Sequence, residues 1–485
     1  MRVMALVGPS PISFNPMRRL AGDLLTEYRT KVPFPPGETR FSIRRTRAFA
    51  NYPLALLLDA YERFGPVFTM RVFHGNSVFM IGPEANHYMT VSHASNFSWR
   101  DGHMGDLTPL LGDGLLTIDN EFHRRSRRIM LPAFHHNAIA AALATMNTEI
   151  DRALEDWHDG SRIDIYHWTR RLALRIAMRA LFGFDPDTTG ARIDMARNFE
   201  KGLGFWARDY WLQVLRGPGT PFAQMQNARR ALDGVIFDEI AQRRRSGDRG
   251  ADVLSLLLDA TDEDGDRLSD QQIRDEVMTL LFAGHDTTTS TIGFMFYELA
   301  RHPRVVAALR DEQDGMLGGD RPDAALLMSG QLKLLEMVQD ETLRMYPPAW
   351  IGARKSIERY EFAGHVVPGN AYVNYSSWVS HHLAHVFPEP TRFRPERFAP
   401  EAKAVLPKGA YVPFGGGSRI CIGMRFGQLE VKAIATALLK RFEFELEPGY
   451  QLRTRQMPTI GPRHGVPLII RRRKRAPALN APLAA

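Results

Sequence analysis

Apolar positions along this chain follow two different periods. The runs VFTMRVF (67–73) and SVFMIG (77–82), separated by a polar turn at 74–76, predict a β-hairpin. From about 121 to 310 the spacing becomes helical, interrupted by the loop RGPGTPF (216–222) and the acidic turn DEDGD (262–266). Within that region SDQQIRDEVMTLLFAGHDTTTSTIGFMFYELARHP predicts one long helix, with Ser269 and Gln272 as a capping box and Pro303 closing the other end. Short strands return at YEFAG and HVVPG, around 360–369, and at PLII, 467–470. The expected fold class is mainly α with a smaller β region assembled from distant segments. No internal repeat or long linker divides the chain, so 1–485 is read as a single domain, with about 1–30 and 472–485 as flexible tails.

Composition narrows the class. With 44% apolar and 24% charged residues the chain is of ordinary globular type. One cysteine in 485 residues permits no internal disulfide and points to a reducing compartment. The opening MRVMALVGPSPISFNPMRR is broken by Pro9 and Pro11, unlike a secretory signal. No stretch approaches the roughly 20 apolar residues that span a bilayer. The expectation is a cytoplasmic protein without a transmembrane anchor, with surface contact to a membrane left open. The formal charge of +8 and the run RRRKR (471–475) raise the possibility of nucleic acid. No finger, basic zipper or RNA-binding signature accompanies them, so a solvated basic tail and no nucleic-acid partner are expected.

The single cysteine, Cys421, lies in FGGGSRICIG (414–423). A lone cysteine is ordinarily a small buried hydrophobe. Here glycines at 415, 416, 417 and 423 allow close backbone approach to a large object, and Arg419 offers a cation to a carboxylate. The following MRFGQLEVKAIATALLKRF has helical periodicity, which places the thiol near a helix N-terminus, where a thiolate is favoured. The loop lacks the Lys and Ser/Thr of a phosphate-binding P-loop, and its glycines do not fit GxGxxG.

This stretch resembles the haem-binding loop of the cytochrome P450 family, F-x-x-G-x-R-x-C-x-G, at Phe414, Gly417, Arg419, Cys421 and Gly423. The resemblance implies a triangular prism of helices, with haem b between the long oxygen-activating helix and the helix after the cysteine loop. Cys421 would be the axial iron ligand and Phe414 would pack beside its sulfur. Glu341 and Arg344, at helical i, i+3 spacing in DETLRMYPPAW, resemble the family's E-x-x-R, and Arg397 in FRPERF would complete a buried structural cluster. His123 and Arg127 share a helical face four residues apart; with Arg354 and Arg419 they would hold the haem carboxylates.

The segment AGHDTTTST (283–291) resembles the family's A-G-x-D/E-T-T. Reductive cleavage of dioxygen needs protons that a dry pocket does not supply. Asp286 would relay them and Thr287 would hold oxygen and a water. Adjacent helical residues point about 100° apart, so service of one oxygen by both predicts a kink or widened turn near Gly284. His285 is expected to face away. The implied activity is a monooxygenase that hydroxylates, or epoxidises, a lipophilic molecule of fatty acyl, terpenoid or steroid-like type. Leu115, Leu116, Ala283, Ala349, Trp350, Ile351 and the turn 457–460 would line the pocket, with 204–214 as part of its roof. No flavin, nicotinamide or iron-sulfur segment follows Cys421, so a separate ferredoxin or flavodoxin, fed by an NAD(P)H reductase, is expected to supply electrons to a monomer. The alternative is a haem-binding sensor or carrier, which the acid and alcohol pair argues against.

Overall fold

The computed structural model describes residues 15–473, apart from 186, 188–194, 207, 209, 248–249, 251, 262–264, 266, 318–321 and 457–458. The long helix runs from Asp270 to Arg301. Its first turn carries the expected reciprocal cap: the Ser269 hydroxyl accepts from Gln272 N–H, and the Gln272 side chain accepts from Ser269 N–H. Nearly every side chain between Ile273 and Phe296 is buried, because helices Ile165–Ile176, Lys333–Met345 and Met424–Arg441 pack around it. An apolar core including Met146, Leu172, Ile292, Met295, Ile434 and Leu438 fills the space between them.

The expected hairpin forms, with Val67 opposite Met80 and Val72 opposite Gly75. It belongs to a six-stranded sheet ordered Gly37–Glu38, Val67–Val72, Gly75–Met80, Tyr372–Tyr375, Gly352–Ser356, Phe97–Ser98. The parallel pairing of Ser77 with Tyr372 joins segments nearly 300 residues apart in sequence. A second core, including Phe68, Phe79, Phe294 and Trp350, lies between this sheet and the helices. The strands expected at YEFAG and HVVPG pair as Tyr360–Phe362 with His365–Val367, and PLII lies in the strand Pro467–Arg472.

Two expectations about the ends need correction. Residues 16–29 are not a flexible tail but a helix, Pro16–Arg29, capped by the Asn15 side chain with proline in its first turn. Asp23 pairs with His74 at 2.9 Å, and Glu27 pairs with Arg71, which fastens the helix to the hairpin. At the other end Arg472 closes a strand, and Arg473 pairs with Asp314 at 2.7 Å. Residues 474–485 and most of the acidic turn lie outside the described residues. Among the described residues no single helix is long and apolar enough to cross a membrane.

Candidate active site

The cysteine loop is shaped by its own backbone. Cys421 N–H donates to Phe414 O at 3.0 Å, Gly415 N–H to Val412 O at 3.1 Å and Ile420 N–H to Gly417 O at 3.1 Å, closing the loop just before helix Met424–Arg441. Gly417 has φ +60°, and a Cβ there would lie 2.1 Å from Thr90 O, so both conformation and space require glycine. Phe414, the acceptor of the Cys421 N–H, is half-buried. Cys421 is exposed as a residue, while protein atoms crowd its sulfur. Burial pushes the thiol up, while the Gly423 N–H and Arg127 oppose that shift.

The four basic residues expected to bind carboxylates converge. Arg354 on strand Gly352–Ser356 and Arg419 on the cysteine loop are each pushed down to about 10, chiefly by burial. Repulsion from Arg354 and Arg127 adds to the depression at Arg419. His123, on helix Asn120–Met130, is held neutral at about 3 by burial and then by Arg419 and Arg127. Arg127 is itself lowered by burial. Such a cluster of desolvated cations favours an incoming anion. Two further residues organise it. The Trp99 ring lies 3.5 Å from the Arg354 guanidinium carbon and 5.1 Å from that of Arg419. Asp119 accepts from Arg419 at 2.5 Å, from Trp99 N–H at 3.2 Å and from Arg100 N–H at 2.9 Å. One thiol beside a helix N-terminus and a cation cluster short of anions match the donor set that haem requires.

On the long helix, residues 282–284 and Thr287 form the one stripe between Ile273 and Phe296 that is not fully buried. No π-helical or 3-10 turn interrupts the helix between Asp270 and Arg301. The Thr287 hydroxyl donates to Ala283 O at 2.8 Å, a back-bond of the kind that often bends a helix. Asp286 faces another way. Its carboxylate accepts from Arg455 Nη2 at 3.1 and 3.2 Å and from the Thr459 hydroxyl, and Arg170 stands 4.0 Å away. Burial works to raise the acid, but Arg455, Arg170, His285 and Thr459 together carry it below its ordinary value. His285 is buried edge-on to Phe199, 5.8 Å between ring centroids, and is kept neutral at about 4, mainly by burial. Arg455 was not singled out from sequence, and Thr459 entered only as part of the turn 457–460 expected to line the pocket.

The long helix touches the post-cysteine helix through Thr288, whose hydroxyl donates to Glu430 at 2.9 Å. Beneath the cysteine loop, Glu341 and Arg344 form a fully buried bidentate pair at 2.7 and 2.9 Å, and Arg397 stands 3.4 Å from Glu341. The pair reaches the loop through His381: Arg344 Nη1 donates to His381 O at 2.9 Å, and Val412 N–H donates to His381 Nε2 at 3.0 Å. The His381 Nδ1, 3.2 Å from Arg344 O, therefore carries the proton. Of the expected pocket residues, Ala283, Leu116 and Ile351 are half-buried and Ala349 is exposed. Leu115 is buried, with its N–H donating to Glu276 at 2.9 Å. Trp350 is a correction: its ring is core, 6.5 Å from Phe49, and its indole N–H donates to Gln456 O. Met457 and Pro458, with 207 and 209 of the expected roof, lie outside the described residues.

Comparison with known proteins agrees with this geometry. A family model for cytochrome P450 matches residues 42–467. Cyclooctatin synthase of Streptomyces melanosporofaciens is 37% identical over 366 residues, covering 74% of this chain and 79% of that protein. Pentalenene oxygenase of Streptomyces avermitilis is 32% identical, covering 72% and 78% respectively. The structure of retinoic acid-bound cyanobacterial CYP120A1 superposes with a TM-score of 0.82 at 28% identity, covering 91% of this chain and all of that one. The chain belongs to the cytochrome P450 family. It is an oxidoreductase of the monooxygenase class that binds haem iron.

Proposed function

We propose that this protein uses haem b, dioxygen and two externally supplied electrons to hydroxylate, or epoxidise, a terpenoid. The convergence of Arg354, Arg419, Arg127 and His123 around the thiol loop carries the haem assignment. In this reading Cys421 Sγ would ligate the haem iron, and the four basic residues would receive the haem carboxylates, with Trp99 and Asp119 fixing Arg354 and Arg419. Bound haem supplies the activation of dioxygen and its insertion into a C–H or C=C bond. The protein's part is to hold, to keep dry and to move protons. The Thr287 hydroxyl, on the accessible stripe, donates to Ala283 O and keeps lone pairs free to accept from a water. Asp286 takes protons at the oxygens now facing Arg455 and Thr459 and passes them toward Thr287 Oγ1.

The terpenoid class is supported by two observations. The side chains available around the stripe, Leu116, Ala283 and Ile351, are apolar. The relatives named for cyclooctatin and pentalenene act on terpenoids, and retinoic acid in the similar structure is also isoprenoid. A ferredoxin or flavodoxin with its own NAD(P)H reductase would deliver electrons to the protein, acting as a cytoplasmic monomer and as one catalytic domain. Titration of the ferric holoenzyme with cyclic terpenes, fatty acids and steroids tests the class. Displacement of iron-bound water by terpenes, followed by oxygenated product with a surrogate ferredoxin system, is the expected result. A spin-state response confined to fatty acids or steroids would overturn it.

A further inference from the structure

The amino-terminal helix Pro16–Arg29 is built inside out. In a surface helix of a globular protein the apolar stripe normally faces the core. Here no side chain of the helix is buried, and Met17, Ala21, Leu24, Leu25 and Tyr28, which share one helical face, point to solvent. Tyr28 is 88% exposed and Met17 66%. The inward face carries Leu20 but is otherwise polar: Asp23 meets His74 and Tyr372, and Glu27 meets Arg71 and Asn76. The next helix, Ile43–Asn51, likewise buries nothing fully and has Phe41, Ile43 and Tyr52 exposed at its ends. Seven of the sixteen large apolar side chains exposed among the described residues fall between 17 and 52, so this is a concentration rather than ordinary scatter.

The two helices share one edge of the sheet. Arg71 on the hairpin bonds to Glu27 of the first helix and to Thr39 O, and Arg45 of the second helix bonds to Arg71 O and Glu38. Charge then selects the partner. Residues 16–52 hold eight basic and three acidic side chains. All three acids are drawn into ion pairs, Glu38 with Arg45 at 2.7 Å and with Arg63 at 2.9 Å. Arg18, Arg29, Lys31, Arg40, Arg44 and Arg47 are exposed around the apolar side chains. A second copy of this face would bring the same cations together across a two-fold axis. Helices of 14 and 9 residues are too short to span a bilayer but long enough to lie in its headgroup region.

We infer that the surface formed by residues 16–52 docks peripherally on an anionic lipid bilayer, with Met17, Leu24, Leu25, Tyr28 and Phe41 in the headgroup region and the arginines against lipid phosphates. Nothing in this depends on the terpenoid assignment. Co-sedimentation of the holoenzyme with vesicles tests it. Binding to phosphatidylcholine mixed with phosphatidylglycerol, little to phosphatidylcholine alone, and loss at high salt are expected. Arg44→Gln with Arg47→Gln should weaken partitioning on the order of twenty-five-fold, about fivefold per arginine. Leu24→Ser with Tyr28→Ser, both solvent-facing and retaining the wild-type haem spectrum, should weaken it on the order of tenfold. Equal or absent binding to the two vesicle types would overturn the proposal, as would unchanged binding in both double variants. So would a dimer in sedimentation velocity that the same substitutions abolish.

Discussion

At the residue scale the site consists of side chains whose chemistry the sequence displayed and partners it concealed. Cys421, Arg419, Arg354, His123 and Arg127 were legible because each sits in a recognisable local pattern. Trp99, Asp119 and Arg455 were not, because each acquires its role only by meeting a segment far away in sequence; Arg455 reaches Asp286 across 169 positions. The Thr287→Ala variant is expected to load haem normally but to divert electrons to hydrogen peroxide, read as product formed per NADPH consumed. Arg455→Met removes the nearest cation from a buried carboxylate, which should cost about 2 kcal/mol at neutral pH, with Arg170 limiting the loss. Because the folded-state value of Asp286 lies below its ordinary one, the stabilisation is present above the unfolded-state pKa and is lost as pH falls through the folded-state value. The gap in melting temperature between variant and wild type should therefore shrink in strongly acidic buffer.

At the element scale, the long helix kept its predicted ends. Its capping box was readable from two residues, whereas the widened turn was argued from what Asp286 and Thr287 would have to do together. In the structure they do separate things: Asp286 is held by the strand Thr454–Arg455 and by Thr459, and Thr287 faces the accessible stripe. The helix Pro16–Arg29 was missed for the opposite reason, since a sequence reading looks for an apolar stripe to bury and this one points outward. The long helix also fastens the loop before helix Asn120–Met130. Asp275 accepts from Asp113 N–H at 2.8 Å and Glu276 from Leu115 N–H at 2.9 Å, and a Cβ on Gly112 would strike Asp275. Burial pushes Glu276 and Glu430 each up to about 8. For an acid raised in the folded state, stability is fully present below the unfolded value and is lost as pH rises through the folded one. Glu276→Gln and Glu430→Gln should each flatten the decline in melting temperature between about pH 5 and 8, while keeping the side-chain acceptor. An unchanged decline would show that these carboxyls are not the groups responsible.

At the scale of the whole molecule, a polar chain runs from the buried Glu341 and Arg344 through His381 to Val412 and so into the loop that ends at Cys421. The i, i+3 spacing was visible, but its burial was not: an exposed pair of this kind is worth under about 1 kcal/mol, whereas both partners here are fully enclosed. Breaking such a pair costs about 3–5 kcal/mol. Glu341→Ala is accordingly expected to leave mostly haem-free, aggregation-prone protein, measured as the ratio of Soret to protein absorbance in the soluble fraction. Arg344→Lys should fall in between, because lysine cannot donate to both Glu341 oxygens and to His381 O together.

The cation cluster meets the cysteine loop at Arg127, which acts on both Arg419 and Cys421. The most direct test is the carbon monoxide spectrum of the reduced protein, wild type against Cys421→Ser. The wild type should give the red-shifted Soret band of thiolate-ligated haem, and the variant should lose it together with oxygenase activity. Retention of that band and of activity by the variant would contradict the assignment of Cys421 as iron ligand.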